Sequence, residues 1–448
     1  MATWKLNKKD KIFISVISLV HVVFFLLACS YKRIYMGDSF EYIYEALNVK
    51  RYFFFYSGNP AMPIEPEYMS QRQPLYPLLL LSVYLFIINN WVVIALQNLI
   101  SIFNIFYARS VLMRIGFTEK HDRLLAMFVL AYPAQFINAN TIAPDILLQT
   151  FTLLYFGNFI ALIQTKQQRY MIYMSLALVA GFLVKPVLYP FVIVHLFIIV
   201  IAAVLQKEKM QRPLLIALSP LLAVLLYNYW NYTRTEKFHF SSNQSFNAIY
   251  YFHSYIGQKE GEDSADRFLQ KERQYIASIP EYKDRYDYAN ERGMQLLRQN
   301  FLPYMAFHLK NTARILIEPG KGEMDLFTGK LTYGQLYSKQ QTGFYATLKN
   351  KGWDGIGDYL RANPSMPFVI LILLFNCFRL IGFAVFLLSK RVHWSIRSFA
   401  AILIGYFALA AGPIANTRYF LPVSLIMTGC SVIGFTELKK NQKLNVFY

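Results

Sequence analysis

The sequence predicts a mostly α-helical polytopic membrane protein. It has about ten transmembrane helices, outer interfacial helices and a small helix-rich domain on the outer face. Three observations predict this. Hydrophobic residues fill 55% of the 448 positions and charged residues only 16%, against roughly 25% charge in a soluble domain. The apolar residues fall in runs of about 20, the length that crosses a bilayer. Lys and Arg outnumber Asp and Glu by 45 to 26, and much of the excess sits in short connectors between the runs. Excess positive charge marks either a nucleic-acid surface or the cytoplasmic rim of a membrane protein, and its position selects the rim. Membrane lipids are therefore expected partners and nucleic acid is not. The composition excludes a disordered chain. Cys29, Cys377 and Cys430 lie in apolar runs, so they read as small buried hydrophobes and exclude a disulfide scaffold or a zinc site.

The first run, Lys11 to Ser30, follows Lys5, Lys8 and Lys9 and lacks a small-residue cleavage site. It reads as a retained helix with a cytoplasmic N-terminus. Five basic connectors follow: Arg114–Arg123, Lys166–Arg169, Lys207–Arg212, Lys390–Arg397 and the tail with Lys439, Lys440 and Lys443. The positive-inside rule makes all five cytoplasmic. Parity then constrains Pro74–Leu112, which must hold an odd number of crossings. A single span at about 91–112 satisfies it, preceded by an interfacial helix at about 74–88 carrying Tyr76, Tyr84 and two prolines. The remaining spans are expected near 124–140, 145–163, 170–187, 189–205, 213–230, 367–388, 398–414 and 419–436. Both termini are then cytoplasmic.

This divides the chain into an N-terminal transmembrane catalytic module at 1–230 (seven spans and the first outer loop, 32–90), an outer domain at 231–366, and a C-terminal transmembrane module of three spans at 367–448. The outer stretch holds 18 Lys/Arg and 15 Asp/Glu. It has expected helices at about 262–277 and 284–317, and an irregular aromatic stretch at Gly322–Trp353. No internal repeat is visible.

Ionisable residues near membrane depth are functional candidates, and several gather on the outer side. Asp38 and Glu41 follow the first span. They fit a capping box and equally a surface general base, with Asp38 taking a proton from a hydroxyl. Arg72 opens the interfacial helix, either as a headgroup anchor or as a guanidinium for a lipid-linked phosphate. Asp145 opens the fourth span, where an N-cap is the plain alternative. Lys185 and Arg418 break the positive-inside pattern. Each fits an anion-binding cation, with snorkelling the alternative for Lys185 and an acidic neighbour's counter-ion for Arg418. Tyr42, Tyr76, His239 and His253 are candidate contacts to donor or acceptor. His21, inside the first span, reads as a hydrogen-bonded core histidine. Asn231-Tyr-Thr and Asn243-Gln-Ser match the glycosylation sequon.

The outer face thus offers carboxylates for acid/base work and three cations for a phosphate. No Walker loop, Rossmann fingerprint, zincin motif or nucleophile elbow is present. A phosphate-bearing donor arriving through the membrane fits best: a sugar on a polyprenyl phosphate.

These residues, in this order, resemble the GT-C superfamily of integral-membrane glycosyltransferases, in the branch of protein O-mannosyltransferases and the lipid A aminoarabinose transferase. Asp38-Ser-Phe-Glu-Tyr-Ile-Tyr-Glu-Ala46 is similar to the family's acidic first-loop motif. Arg72-Gln-Pro-Leu-Tyr-Pro77 is similar to the basic, proline-rich start of its interfacial helix. Ala143-Pro-Asp145 resembles the acidic opening of the fourth span. Gly181-Phe-Leu-Val-Lys-Pro186 resembles the family's Gly…Leu-x-(Lys/Arg)-(Pro/Gly) turn, and Arg418-Tyr-Phe-Leu-Pro422 its late Arg-Tyr-x-x-Pro opening. The first-loop motif has Asp-Ser where the protein O-mannosyltransferases carry an adjacent acidic pair. The chain also ends soon after the last span, so an acceptor-binding module is expected in 231–366.

The resemblance implies an inverting displacement onto a hydroxyl of an extracytoplasmic glycan, lipid or protein. Asp38 would be the base. Glu41 and Asp145 would orient it, the acceptor or the cations, and Arg72, Lys185 and Arg418 would hold the donor phosphate. A divalent cation could bridge acids and phosphate, but the cations make it unnecessary and no cofactor is expected. The expected location is a bacterial inner membrane, with the active site facing outward. The competing classes are a lipid-linked substrate transporter or flippase, an O-antigen-ligase-like transferase, a phosphoethanolamine transferase and a structural scaffold. A transporter would carry its ionisable residues at the bilayer midplane, an enzyme of this kind at the outer rim.

Overall fold

The structure, a computed structural model, describes residues 8–207, 209–330 and 352–444, with backbone alone for 354, 362 and 438–444. Among the described residues there are nineteen α-helices and no strand. Seven are long and apolar enough to cross a membrane: α1 (Lys8–Tyr31), α4 (Asn90–Met113), α7 (Asp145–Thr165), α10 (Gln211–Thr235), α17 (Met366–Leu388), α18 (Trp394–Ala411) and α19 (Thr417–Leu444, apolar to Glu437). The fold is that of a polytopic membrane protein.

The other expected spans take different forms. Residues 170–187 and 189–205 become α8 (Arg169–Val184) and α9 (Phe191–Leu205), joined by a short 3-10 turn at Pro186–Leu188. At 16 and 15 residues they are about 24 and 22 Å long, shorter than a 30 Å hydrocarbon core. The expected span at 124–140 is two pieces, α5 (Asp122–Leu130) and α6 (Ala134–Ala139), broken before Pro133. Proline lacks the amide hydrogen that would continue the ladder. Buried amide side chains take up backbone carbonyls around this break. Asn98 donates to Ala139 O (3.2 Å), Gln97 to Thr141 O (2.7 Å) and Asn104 to Ile146 O (3.0 Å). Irregular backbone at membrane depth is tolerated where protein satisfies it in this way. The expected interfacial helix is α3 (Leu75–Tyr84), about 15 Å long and too short to span, which packs on α2 (Ser39–Tyr52).

One continuous apolar core runs through the bundle, and α19 packs against α4, α7, α17 and α18. The first and last thirds of the chain therefore share a core. Where α17 meets α19, Gly382 and Gly434 face each other. A Cβ on Gly434 would lie 2.1 Å from Gly382 O, so only glycine permits this approach. Several polar residues are paired within the core. His21 Nδ1 bonds Asn98 Oδ1 at 2.8 Å, as a core histidine should, and Gln135 and Gln149 exchange reciprocal amide bonds at 2.9 Å. At the bundle end carrying the basic connectors, Arg109 pairs with Asp122 (2.7 and 2.8 Å) and Asp10 (2.9 Å), tying α4 to α5 and α1.

Beyond α10 four helices, α11 (Asn243–Glu260), α12 (Glu262–Ser278), α13 (Tyr282–Gln299) and α14 (Phe301–Ile315), build a second apolar cluster of their own. The single helix expected at 284–317 is two helices, because the backbone turns at Asn300 (φ −119°, ψ 27°). Of the stretch expected to be irregular, Lys321–Phe327 forms α15 and 331–351 lies outside the described residues, before α16 (Asp354–Ala362). The side chains of Lys439, Lys440 and Lys443 lie outside the described residues as well. Cys430 is buried, whereas Cys29 and Cys377 are half-buried, each next to a buried residue (Ala28, Asn376) on the flank of its helix. Asn231 is fully buried and donates to His239 O and Phe240 O, so its sequon cannot be glycosylated in the folded chain.

Candidate functional site

Loop pairing brings the first part of the site together. After α1 the chain runs past α7's entry segment, where Ile142 N–H donates to Ile34 O (2.8 Å) and Ser39 Oγ donates to Ile142 O (2.7 Å). This fixes Asp38, just before α2, near Asp145, the first residue of α7. Neither carboxylate caps its helix, so the capping readings of both are not met. Asp38 has helical backbone angles (φ −97°, ψ −2°) that turn its side chain away from the orphan amides. Asp145 follows Pro144, which occupies the capping position.

Both carboxylates point instead at Arg418, in the first turn of α19. Its guanidinium donates to Asp38 Oδ2 (2.8 Å) and Oδ1 (3.2 Å), and its Nε donates to Asp145 Oδ2 (2.6 Å). Arg418 is thus the counter-ion to two acidic neighbours. Lys185, at the turn leaving α8, donates to Asp145 Oδ1 (2.6 Å) and lies 4.6 Å from the centre of the Tyr419 ring. On the other flank Arg72 pairs with Glu41, approaches Asp38 Oδ2 at 3.9 Å and stacks over Tyr42 at 5.0 Å. The segment before Arg72 is docked by side chains of the α10–α11 connection: Ser242 Oγ donates to Glu67 O (2.8 Å) and Ser241 Oγ to Gln71 O (3.2 Å).

The six charged residues singled out in the sequence therefore form one chain of contacts, Glu41–Arg72–Asp38–Arg418–Asp145–Lys185, at one end of the bundle. Three cations face three carboxylates. Asp145 is fully buried, while Asp38 and Arg72 keep side-chain exposures of 18% and 17%. Burial alone would raise the Asp38 pKa, but the guanidiniums of Arg418 and Arg72 outweigh it and hold this carboxyl well below the usual range. Glu41 goes the other way: burial raises it and Arg72 only partly compensates. One turn further along α2, Glu45 is buried, its Oε2 has no hydrogen-bond partner among the described residues, and burial pushes its pKa to about 8.

The remaining candidates divide. Tyr42 and Tyr76 are buried behind the chain with ring centres 5.0 Å apart, and Tyr76 Oη donates to Gln97 Oε1 (2.6 Å). Tyr42 lies beneath the Arg72 guanidinium, and Tyr76 packs edge-on against Tyr42. His239 lies outside the chain. It shares a 2.7 Å hydrogen bond with Ser70, stacks on Tyr286 and is kept neutral near pH 7 by burial, which lowers its pKa to about 4. His253 is in the outer helical cluster, paired with Asp266 at 3.3 Å.

Sequence reasoning missed Glu323. Its Oε1 accepts the Arg418 backbone N–H (2.6 Å) and its Oε2 accepts from Asn138 (3.4 Å). Burial pushes its pKa to about 7, against the opposing pull of Thr417 and Arg418. The preceding Pro319-Gly320 pair signals a turn, and Gly320 indeed takes φ +76° against Thr417. Nothing in the local sequence singles out the glutamate.

The chain is similar to the crystal structure of ArnT from Cupriavidus metallidurans bound to undecaprenyl phosphate, at 11% sequence identity and a TM-score of 0.39, over 94% of this chain and 77% of that one. No protein-family model matches the chain, and no curated protein sequence matches it.

Proposed function

We propose that the chain is an integral-membrane glycosyltransferase of the GT-C type. It moves a sugar from a polyprenyl-phosphate donor to a hydroxyl of an acceptor on the outer side of a bacterial inner membrane. One observation carries the reading: six residues spread from position 38 to position 418 close into a single chain of ion pairs. That chain lies at helix ends rather than mid-helix, which favours an enzyme at the membrane surface over a transporter with a midplane site.

Arg72, Lys185 and Arg418 are already matched by carboxylates, so a donor phosphate enters by displacing them. As the guanidiniums turn to the phosphate, Asp38 loses the charges that suppress its basicity. Donor binding and base activation are thereby coupled. The acceptor hydroxyl then gives its proton to Asp38 while its oxygen bonds to the anomeric carbon. The bond from that carbon to the phosphate oxygen breaks with inversion, and its electron pair leaves on polyprenyl phosphate. Arg72 and Lys185 hold the charge that develops there, in a partly dry site where such stabilisation is strongest. Arginine and lysine supply the positive charge, and the reading needs no metal.

The test is binding of polyprenyl-phosphate sugars to the detergent-purified protein. Saturable binding that weakens at least tenfold in Arg72→Ala is the expected result. Absence of binding to any polyprenyl phosphate removes the premise.

A further inference from the structure

Next to the ion-pair chain lies a concavity. Helix α11, the end of α14, the start of α15 and the turn from α18 to α19 enclose a cleft of about 340 Å³, within the range of small-molecule sites. Tyr250, His253, Ser254 and Gln258 form one wall, and Glu323 and Asn416 lie on the side facing α19. Glu323 joins the two features. Its carboxylate lines the cleft and holds the backbone of Arg418, whose guanidinium holds Asp38.

We propose that this cleft is the acceptor site and that it takes a neutral, hydroxyl-rich glycan, with Glu323 accepting hydrogen bonds from hydroxyls next to the one that reacts. The assignment rests on the transferase reading and adds the chemical class of the acceptor to it.

The chemistry of the walls selects that class. Glu262 and Glu318 supply carboxylate charge and Glu323 further acceptor oxygens, while the cation among the lining residues, Arg314, is already bonded to Glu318 (2.9 Å). A ligand rich in O–H donors suits such walls, and an anionic one is repelled. Polar side chains line much of the cleft, so a lipid tail is a poor occupant. His253 is 6% exposed, and its Nδ1 has no hydrogen-bond partner among the described residues. Nε2 is bonded to Asp266 (3.3 Å), so Nδ1 is the ring nitrogen left open to a ligand. A buried polar atom without a partner is costly unless a ligand or water fills the position. The Tyr250 and His253 rings stack with centres 5.8 Å apart, an aromatic surface against which a sugar ring can lie.

The experiment uses the full chain in lipid nanodiscs. Saturation-transfer NMR follows lactose, maltose and N-acetyllactosamine beside their phosphorylated and sialylated counterparts, and polyprenyl-phosphate binding is measured separately. Neutral disaccharides should bind saturably and the anionic ones at least tenfold more weakly. Ser254→Trp, which fills the cleft from α11, should abolish disaccharide binding and leave polyprenyl-phosphate affinity unchanged. Glu323→Gln should weaken the disaccharides at least tenfold. The assignment is overturned if no neutral disaccharide saturates, if the anionic forms bind equally well, or if Ser254→Trp binds like wild type. Donor binding without disaccharide binding overturns the cleft alone. Disaccharide binding without donor binding leaves the cleft and removes the transferase reading.

Discussion

Replacing Asp38 with Asn removes one negative charge from between Arg418 and Arg72 while keeping the side chain's size. On the proposed mechanism a donor phosphate competes with this carboxylate for Arg418, which it holds through hydrogen bonds of 2.8 and 3.2 Å. A charge-assisted bond contributes about 1.5–3 kcal/mol, and a neutral amide oxygen keeps about 1 kcal/mol. Asp38 retains some solvent contact, so the relieved competition is about 1–2 kcal/mol, or roughly five- to thirty-fold tighter donor binding. If Asp38 is the base, as proposed, its loss costs about 10²–10⁴-fold in turnover. The two quantities thus move in opposite directions, whereas a misfolded site would lose both. Calorimetric titration with a polyprenyl-phosphate sugar, beside transfer in proteoliposomes, reads them separately. Turnover within about threefold of wild type, or weaker donor binding in a fully folded variant, would refute the coupling of donor binding to base activation.

Glu45 and Glu323 hold protons in the folded chain up to pH values of about 8 and about 7, above the ordinary 4.5. An unfolded chain releases them near 4.5, so stability should fall as pH rises from about 4.5 to 8. Thermal unfolding of Glu45→Gln against pH should show a flatter slope across that window; an unchanged slope counts against the buried proton. Arg109→Met leaves Asp10 and Asp122 without their cation, at a cost of about 3–5 kcal/mol. It should lower the unfolding temperature yet preserve donor affinity in the folded fraction, since this cluster is at the opposite end from the site. Chelation with EDTA should leave transfer unchanged, and a loss restored by a divalent cation would show that the cations do not suffice.

Charge on the unexpected side of a hydrophobic pattern was the most readable signal in the chain. Lys185 and Arg418 stand out because the positive-inside rule gives them no place, and Asp145 because an ionisable residue near membrane depth is a functional candidate. Their partners were not legible, since pairing is set by loop contacts such as Ile142 with Ile34. Asp38 and Asp145 looked equally like caps, and only backbone geometry separates the two roles. Glu323 was hidden in a stretch where acids and bases are both common, and it acts on a backbone amide, which leaves no complementary residue in the sequence. The broken span had a visible cue, Pro133, but the surrounding run is apolar enough to mask it. The amides that satisfy the break are scattered over α4. Arg379, buried in α17 over the Tyr132 ring at 4.6 Å, shows the limit of pattern reading: a single charge inside a long apolar run hardly alters its hydropathy.

The position of a bound phosphate tests the central claim most directly. A cryo-EM map of the nanodisc-embedded protein loaded with polyprenyl phosphate should place phosphorus within hydrogen-bonding reach of Arg72 and Lys185, with Arg418 swung from Asp38 toward it. A phosphate bound elsewhere, with the chain from Glu41 to Lys185 intact, would contradict the account and make those ion pairs a structural lock.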